Sequence, residues 1–262
     1  MFDKIYYINL NKRQDRNDHM KSLFIKNNLN NYNIERIEAI DGNKVDKKDL
    51  IKLITNKGME DAQNKNKQVF TYLTKGAIGC ALSHRKIWEL IIKNKVTTAL
   101  ILEDDIEFGD DFLKKYKELE KYFPNNYDII FLGYHPSSIK YINRCINKFF
   151  VKSNKIYGLF GYILSNKGAK KLYNNLFPIT MQLDSEISNS MKKFNIFLLN
   201  PVKNIIFSTP SEINNKWGTD IQLRRNDNLE IYNSSYLRNI LIINSIIFII
   251  IFTLLLLSGF FN

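Results

Sequence analysis

Only two cysteines occur in the 262 residues, Cys80 and Cys145, far apart in the chain. That spacing excludes a disulfide framework and a cysteine-based metal knuckle, and it suits two reduced thiols in a reducing compartment. The basic residues are scattered, and neither a zinc-finger spacing nor an RRM-type aromatic motif accompanies them, so no nucleic-acid partner is expected. Internal repeats and low-complexity linkers are absent. The opening residues, Met1 to Ile8, lack a basic stretch followed by a long apolar run and a small-residue cleavage site, and read as a strand instead of a leader. No charged residue follows Arg238.

What is present begins with charge. Thirty-eight Lys and Arg against 26 Asp and Glu give a net charge of +12, which attracts anionic membrane surfaces, polyanions and phosphorylated small molecules alike. Asn239 to Leu257 runs almost without interruption through Ile, Leu and Phe. As a helix it reaches roughly 28 Å, close to a hydrocarbon core of about 30 Å, and a transmembrane helix is expected over 239–258. Arg224, Arg225 and Arg238 precede it and nothing basic follows, an asymmetry that predicts a single-pass C-terminal anchor with the large domain facing the cytoplasm. The sequon Asn233-Ser234-Ser235 points the other way. The expected organisation is one domain over 1–210, a juxtamembrane linker over 211–238, and the span.

Within the domain, Lys4 to Leu10 reads as a buried strand, Arg16 to Lys26 as a helix with Met20, Leu23 and Phe24 on one face, and Asn33 to Ile40 as a second strand. Asp41 to Lys75 is polar and predicts a long loop carrying a short helix. Ser83 is placed to cap a helix through Ile87, Leu90 and Ile91, before the apolar strand Thr97 to Leu102. A helix near Asp110 to Tyr122 leads to a strand over Asp128 to Leu132. Short antiparallel strands are expected between Tyr141 and Tyr162, and Ser165 to Gly168 opens another helix. Alternating strands and helices predict an α/β fold, a mostly parallel sheet with helices on both faces, with ligands at the carboxyl ends of the strands.

Three consecutive carboxylates, Glu103, Asp104 and Asp105, end the apolar run Ala99-Leu100-Ile101-Leu102. Side chains alternate along a strand, so Glu103 and Asp105 share a face and can act together. Hard oxygen ligands suit Mg²⁺ or Mn²⁺ held jointly with a diphosphate. A solvated strand end reads the same way from spacing alone. The His and Asp clusters of metal-dependent phosphodiesterases are missing.

Taken with Lys75-Gly76-Ala77-Ile78-Gly79-Cys80-Ala81-Leu82-Ser83-His84 just upstream, the segment Leu102 to Asp105 resembles glycosyltransferase family 25, which includes lipooligosaccharide and collagen galactosyltransferases. Tyr7-Ile8-Asn9-Leu10 with Arg13, Asp15 and Arg16 looks like that family's opening strand. Gly158 to Ser165 and Lys167-Gly168-Ala169 look like its later glycine-containing strand and helix. The likeness covers roughly residues 3 to 210, with the motifs in matching order.

The resemblance implies a GT-A-like, Rossmann-type domain that transfers a hexose, galactose or glucose, from a UDP-sugar with inversion. A divalent cation assists, Mn²⁺ first and Mg²⁺ second. Acceptors are hydroxyls of a glycan, a lipid-linked sugar or a protein. On that basis Asp105, with Glu103 and Asp104, is expected at the metal. Asn9, Arg13, Arg16, Ser83 and His84 are expected at the nucleotide sugar. Asp184 is the expected base, with Glu186 as substitute, and a helix N-cap is the competing role for Asp184. His135 ranks below His84, and His19 is expected on a solvated helix face. Two departures stand out: Ala77 occupies a place where many members carry glutamate, and no histidine follows His135. They motivate the alternative, a catalytically degenerate carbohydrate-binding or scaffold module tethered to a membrane.

Overall fold

A computed structural model describes residues 1–63 and 73–208. The linker over 211–238 and the apolar segment over 239–258 lie outside the described residues. Among the described residues, no helix is long and apolar enough to cross a membrane.

Ten strands and seven α-helices make up the regular structure of the described chain. The strands are β1 (Lys4–Asn9), β2 (Ile34–Glu38), β3 (Thr98–Glu103), β4 (Ile106–Phe108), β5 (Ile129–Gly133), β6 (Ile142–Cys145), β7 (Phe150–Ser153), β8 (Gly161–Ser165), β9 (Ile196–Leu199) and β10 (Ile206–Ser208). The helices are α1 (Gln14–Lys26), α2 (Lys47–Leu53), α3 (Asn56–Gln63), α4 (Lys75–Lys93), α5 (Phe112–Glu120), α6 (Asn166–Asn175) and α7 (Leu183–Asn189). Eight strands form one sheet in the order β2-β1-β3-β8-β5-β9-β7-β6, and β4 pairs with β10 in a small second sheet.

The α/β architecture is as expected, but the sheet is mixed. Six of its strands run one way, while β8 and β7 run the other, so β8 pairs antiparallel with both β3 and β5. Gly161 to Leu164 are buried, and a strand covered on both faces reads as a continuous apolar run whatever its direction.

Each face of the sheet carries its own core. On one, Ala99 and Ile101 of β3 pack with Ile78, Ile87 and Trp88 of α4 and Leu172 of α6. On the other, Leu100 and Leu102 pack with Met20 and Leu23 of α1 and Phe112 and Tyr116 of α5. The alternation of β3 therefore sorts its residues between α4 and α1.

Helix α4 begins well before Ser83. Thr74 is its N-cap, its hydroxyl accepting from the Ala77 N–H at 2.9 Å. Ser83 lies inside the helix, where its hydroxyl donates to the Gly79 carbonyl (2.6 Å) and accepts from the Ile40 N–H (2.8 Å). The early start is hidden in the sequence because Gly76 and Gly79 read as loop glycines. Close approach explains Gly79: a Cβ there would sit 2.3 Å from the Ile40 carbonyl oxygen. The polar stretch after Asp41 holds a 3₁₀ turn and two short helices, α2 and α3, in place of a loop with one helix.

Gly79→Ala is expected to destabilise the protein by about 2 kcal/mol or more, because backbone must move to admit the methyl. Urea unfolding midpoints of the variant and the natural protein check this.

Candidate active site

The carboxyl end of β3 builds the site. Continuing the strand's alternation, Glu103 falls on the α4 side and Asp104 on the α1 side. Asp104 is buried and fully engaged: Arg16 of α1 donates to Oδ1 at 2.8 Å and Asn9 of β1 donates to Oδ2 at 2.6 Å. Asn9 also donates to the Arg13 carbonyl and accepts from Arg36 Nε at 2.9 Å. This network ties the ends of β1 and β3 to α1 and β2. Burial raises the Asp104 carboxyl above its ordinary value, and the charge and hydrogen bond of Arg16 oppose that rise.

Glu103 meets α4. His84 Nε2 lies 3.4 Å from its Oε1, and the Cys80 thiol is 4.0 Å from the same oxygen. Cys80 and His84 stand one helical turn apart on α4, so both reach the strand end. Asp105 lies just past β3, with Oδ2 3.4 Å from Arg16 Nη1. Burial, and then the charge of Glu103, push the Asp105 carboxyl up to about 7. Glu103, Asp104 and Asp105 line a cleft with Ile8, Lys12, Arg16, Asp41, Cys80 and His84.

Asp184 sits in the first turn of α7 and is not its N-cap, a position held by Gln182. It accepts from the N–H groups of Gly158 (3.2 Å) and Ser185 (2.6 Å). Burial raises its carboxyl, these N–H groups lower it, and the charge of Glu103 raises it further. The Cys80 thiol is pushed up by burial and then by the charges of Glu103, Asp184 and Asp105. Strand β3, helix α4 and helix α7 thus bring Glu103, Asp105, Asp184 and Cys80 into one electrostatic neighbourhood.

The expected residues divide accordingly. All three carboxylates line the cleft, but both oxygens of Asp104 are engaged by Arg16 and Asn9, so Asp104 does not join Glu103 and Asp105 as a free ligand as expected. Asn9 and Arg16 hold Asp104, and Arg13 pairs with Asp15 at 2.8 Å and is not among the cleft's lining residues. Ser83 and His84 line the cleft from mid-helix, not from the helix start that the sequence predicted. Glu186 is half-buried on α7, and its Oε2 is buried with no hydrogen-bond partner among the described residues.

His135 caps the turn after β5, accepting from the Ser137 N–H. His19 is not solvated: its Nε2 is 2.9 Å from the Ile106 carbonyl, because β4 folds back over α1. Ala77 is buried in the α4 core and does not line the cleft. Reasoning from sequence missed Lys12, a cleft-lining cation paired with Asp41 at 3.2 Å. The signal was its place just after the first strand.

Two outcomes follow. Arg16→Met is expected to cost about 3–5 kcal/mol by leaving Asp104 buried and unpaired, with Asp104→Asn recovering much of the loss in denaturant titrations of the double variant. In metal-free protein, Asp105 holds its proton more tightly folded than unfolded, so it lowers stability as pH rises from about 4 toward 7. Asp105→Asn should remove that loss, gaining on the natural protein as pH rises and matching it near pH 4 in thermal melts with EDTA.

The model for glycosyltransferase family 25 (LPS biosynthesis protein) matches residues 2–187. Procollagen galactosyltransferase 2 of Homo sapiens is 28% identical over 178 residues, covering 65% of this chain and 27% of that protein. The procollagen lysyl hydroxylase and glycosyltransferase of Acanthamoeba polyphaga mimivirus is 29% identical over 192 residues, covering 68% and 21%. The chain thus spans roughly a quarter of the length of these curated relatives. A solved glycosyltransferase involved in glycosylation of the major capsid of PBCV-1 aligns at a TM-score of 0.42 and 8% identity, over 79% of this chain and 91% of that one. With most of its length matched by the family model, including the strands and helices that bring Glu103, Asp105 and Asp184 together, the chain belongs to glycosyltransferase family 25.

Proposed function

We propose that this chain transfers a hexose, galactose or glucose, from a UDP-sugar to a hydroxyl of a glycan, lipid-linked sugar or protein acceptor, with inversion and with help from a divalent cation. The observation that carries the reading is the pair Glu103 and Asp105 lining a cleft at the carboxyl ends of β1 and β3, with Asp184 outside the cleft's lining but near enough to feel the charge of Glu103, in a member of a glycosyltransferase family. The two procollagen-modifying relatives support a protein hydroxyl among the acceptors.

The carboxylates fit a cation. Glu103 raises both Asp105 and Asp184 by its charge, and a divalent ion would relieve that crowding while offering Lewis acidity toward the donor diphosphate. Glu103 and Asp105 are the residues that would hold it, and Mn²⁺ is the first candidate. Lys12 is the cleft cation suited to a phosphate, since Arg16 is committed to Asp104. Asp184 is the proposed base. Its burial makes it a stronger proton acceptor than an exposed carboxylate, the property needed to take the acceptor hydroxyl's proton as it attacks the sugar.

Domain limits of 1–210, 211–238 and 239–258, and a membrane anchor with the domain facing the cytoplasm, complete the proposal. Their support is the uncharged apolar run after Arg238 and, for the orientation, Arg224, Arg225 and Arg238 before it.

The full chain, produced with its membrane fraction, is assayed for UDP release from a panel of UDP-sugars with Mn²⁺. Turnover of one UDP-hexose, abolished by EDTA and lowered about 100-fold or more by Asp184→Asn, is expected. Activity should sediment with membranes and become soluble when Asn239 to Asn262 are removed. Folded protein that binds glycans yet turns over no donor would overturn the transferase reading in favour of a non-catalytic module.

A further inference from the structure

Behind Glu103 lies a line of buried polar groups that the transfer reaction as proposed does not use. Trp88 Nε1 donates to the Tyr162 hydroxyl oxygen at 3.1 Å. That hydroxyl lies 2.9 Å from His84 Nδ1, and His84 Nε2 lies 3.4 Å from Glu103 Oε1. Trp88, His84 and Tyr162 are 0%, 0% and 1% exposed, so bulk solvent does not reach them.

Counting hydrogens fixes the direction of this line. An indole N–H only donates, so it cannot receive the Tyr162 proton. Burial pushes the Tyr162 phenol far above its ordinary value, and the group keeps its proton. Among the described residues, the one acceptor within reach of that O–H is His84 Nδ1. Nδ1 must therefore be the bare nitrogen of the ring, and Nε2 carries the hydrogen that faces Glu103. The opposite tautomer, or an imidazolium, would leave the tyrosine hydrogen buried without an acceptor, which native interiors avoid.

We propose that Trp88, Tyr162 and His84 form a relay of fixed polarity that locks His84 as an Nε2–H donor and thereby positions Glu103. Oε1 of Glu103 is held by the His84 N–H with the Cys80 thiol nearby, and Oε2 is left as the oxygen offered to a ligand. The three are positioning residues, and the identity of that ligand rests on the transferase reading.

The same count decides a competing use of the cluster. Cys80 Sγ, His84 Nε2 and Glu103 Oε1 lie within 4.8 Å of one another, a set able to hold a metal. An Nε2 that carries hydrogen has no lone pair for a metal. The relay keeps the cluster a hydrogen-bonding device.

The chain holds three histidines, so long-range ¹H–¹⁵N spectra of histidine-labelled, ligand-free protein resolve each ring. His84 is expected as a neutral Nε2–H tautomer, and Tyr162→Phe should abolish that single-tautomer signature. An Nδ1–H tautomer or an imidazolium at His84 in the natural protein overturns the proposal, whether or not Tyr162→Phe folds. So does a cobalt–thiolate charge-transfer band on adding Co²⁺ to the natural protein.

His84→Gln can present an amide oxygen to Tyr162 and an amide N–H to Glu103. It should keep activity within a few-fold of the natural protein, while His84→Ala loses about 10-fold or more. Equal loss in both variants counts against the relay. The spectra need no donor or acceptor, so failure of the transfer assay would leave the observed His84 tautomer unchanged.

Discussion

The buried pairing of Arg16 with Asp104 is the constraint on which the site depends. A carboxylate taken out of water at the end of β3 needs compensation, and here it receives a guanidinium from α1 and an amide from β1. Those bonds fix where β3 stops and how α1 leaves the end of β1. Once Asp104 is pinned on the α1 side, the residue before it must point toward α4, and the residue after it must turn into the cleft. The geometry of Glu103 and Asp105 is thus set by the neighbour that stands between them.

Much of this was readable from pattern. The apolar runs locate β1 and β3, and alternation puts Glu103 and Asp105 on one face, while the expectation that Asp104 joins them at the metal misses its bonds to Asn9 and Arg16. The partners themselves were not readable, because Asp104 meets Asn9 across 95 positions and Arg16 across 88. Periodicity carries no information at such separations. The start of α4 was hidden by Gly76 and Gly79, whose low helix propensity argues for a loop; the actual service of Gly79 is contact with the backbone near Ile40. The direction of β8 was hidden for a different reason, since burial on both faces erases the alternation that would mark an antiparallel strand.

The cleft combines crowding of like charge with supply of hydrogen-bond donors. Glu103 acts electrostatically on Asp105, Asp184 and Cys80, and it is itself held from behind by His84. Groups that repel one another stay close only when the scaffold is rigid, and here they are carried by a central strand and by helices packed on it. That arrangement favours any cation that enters, and it makes the site's charge state responsive to what is bound.

The placement of β8 bears on how the chain reaches its native state. This strand is wedged between β3 and β5, so the two central edges of the sheet stay unpaired until residues 161–165 have been made and docked. Non-local pairing of this kind slows folding and leaves strand edges open meanwhile. Tyr162 arrives on that same wedge, so His84 and Glu103 acquire their fixed orientation in the step that closes the sheet.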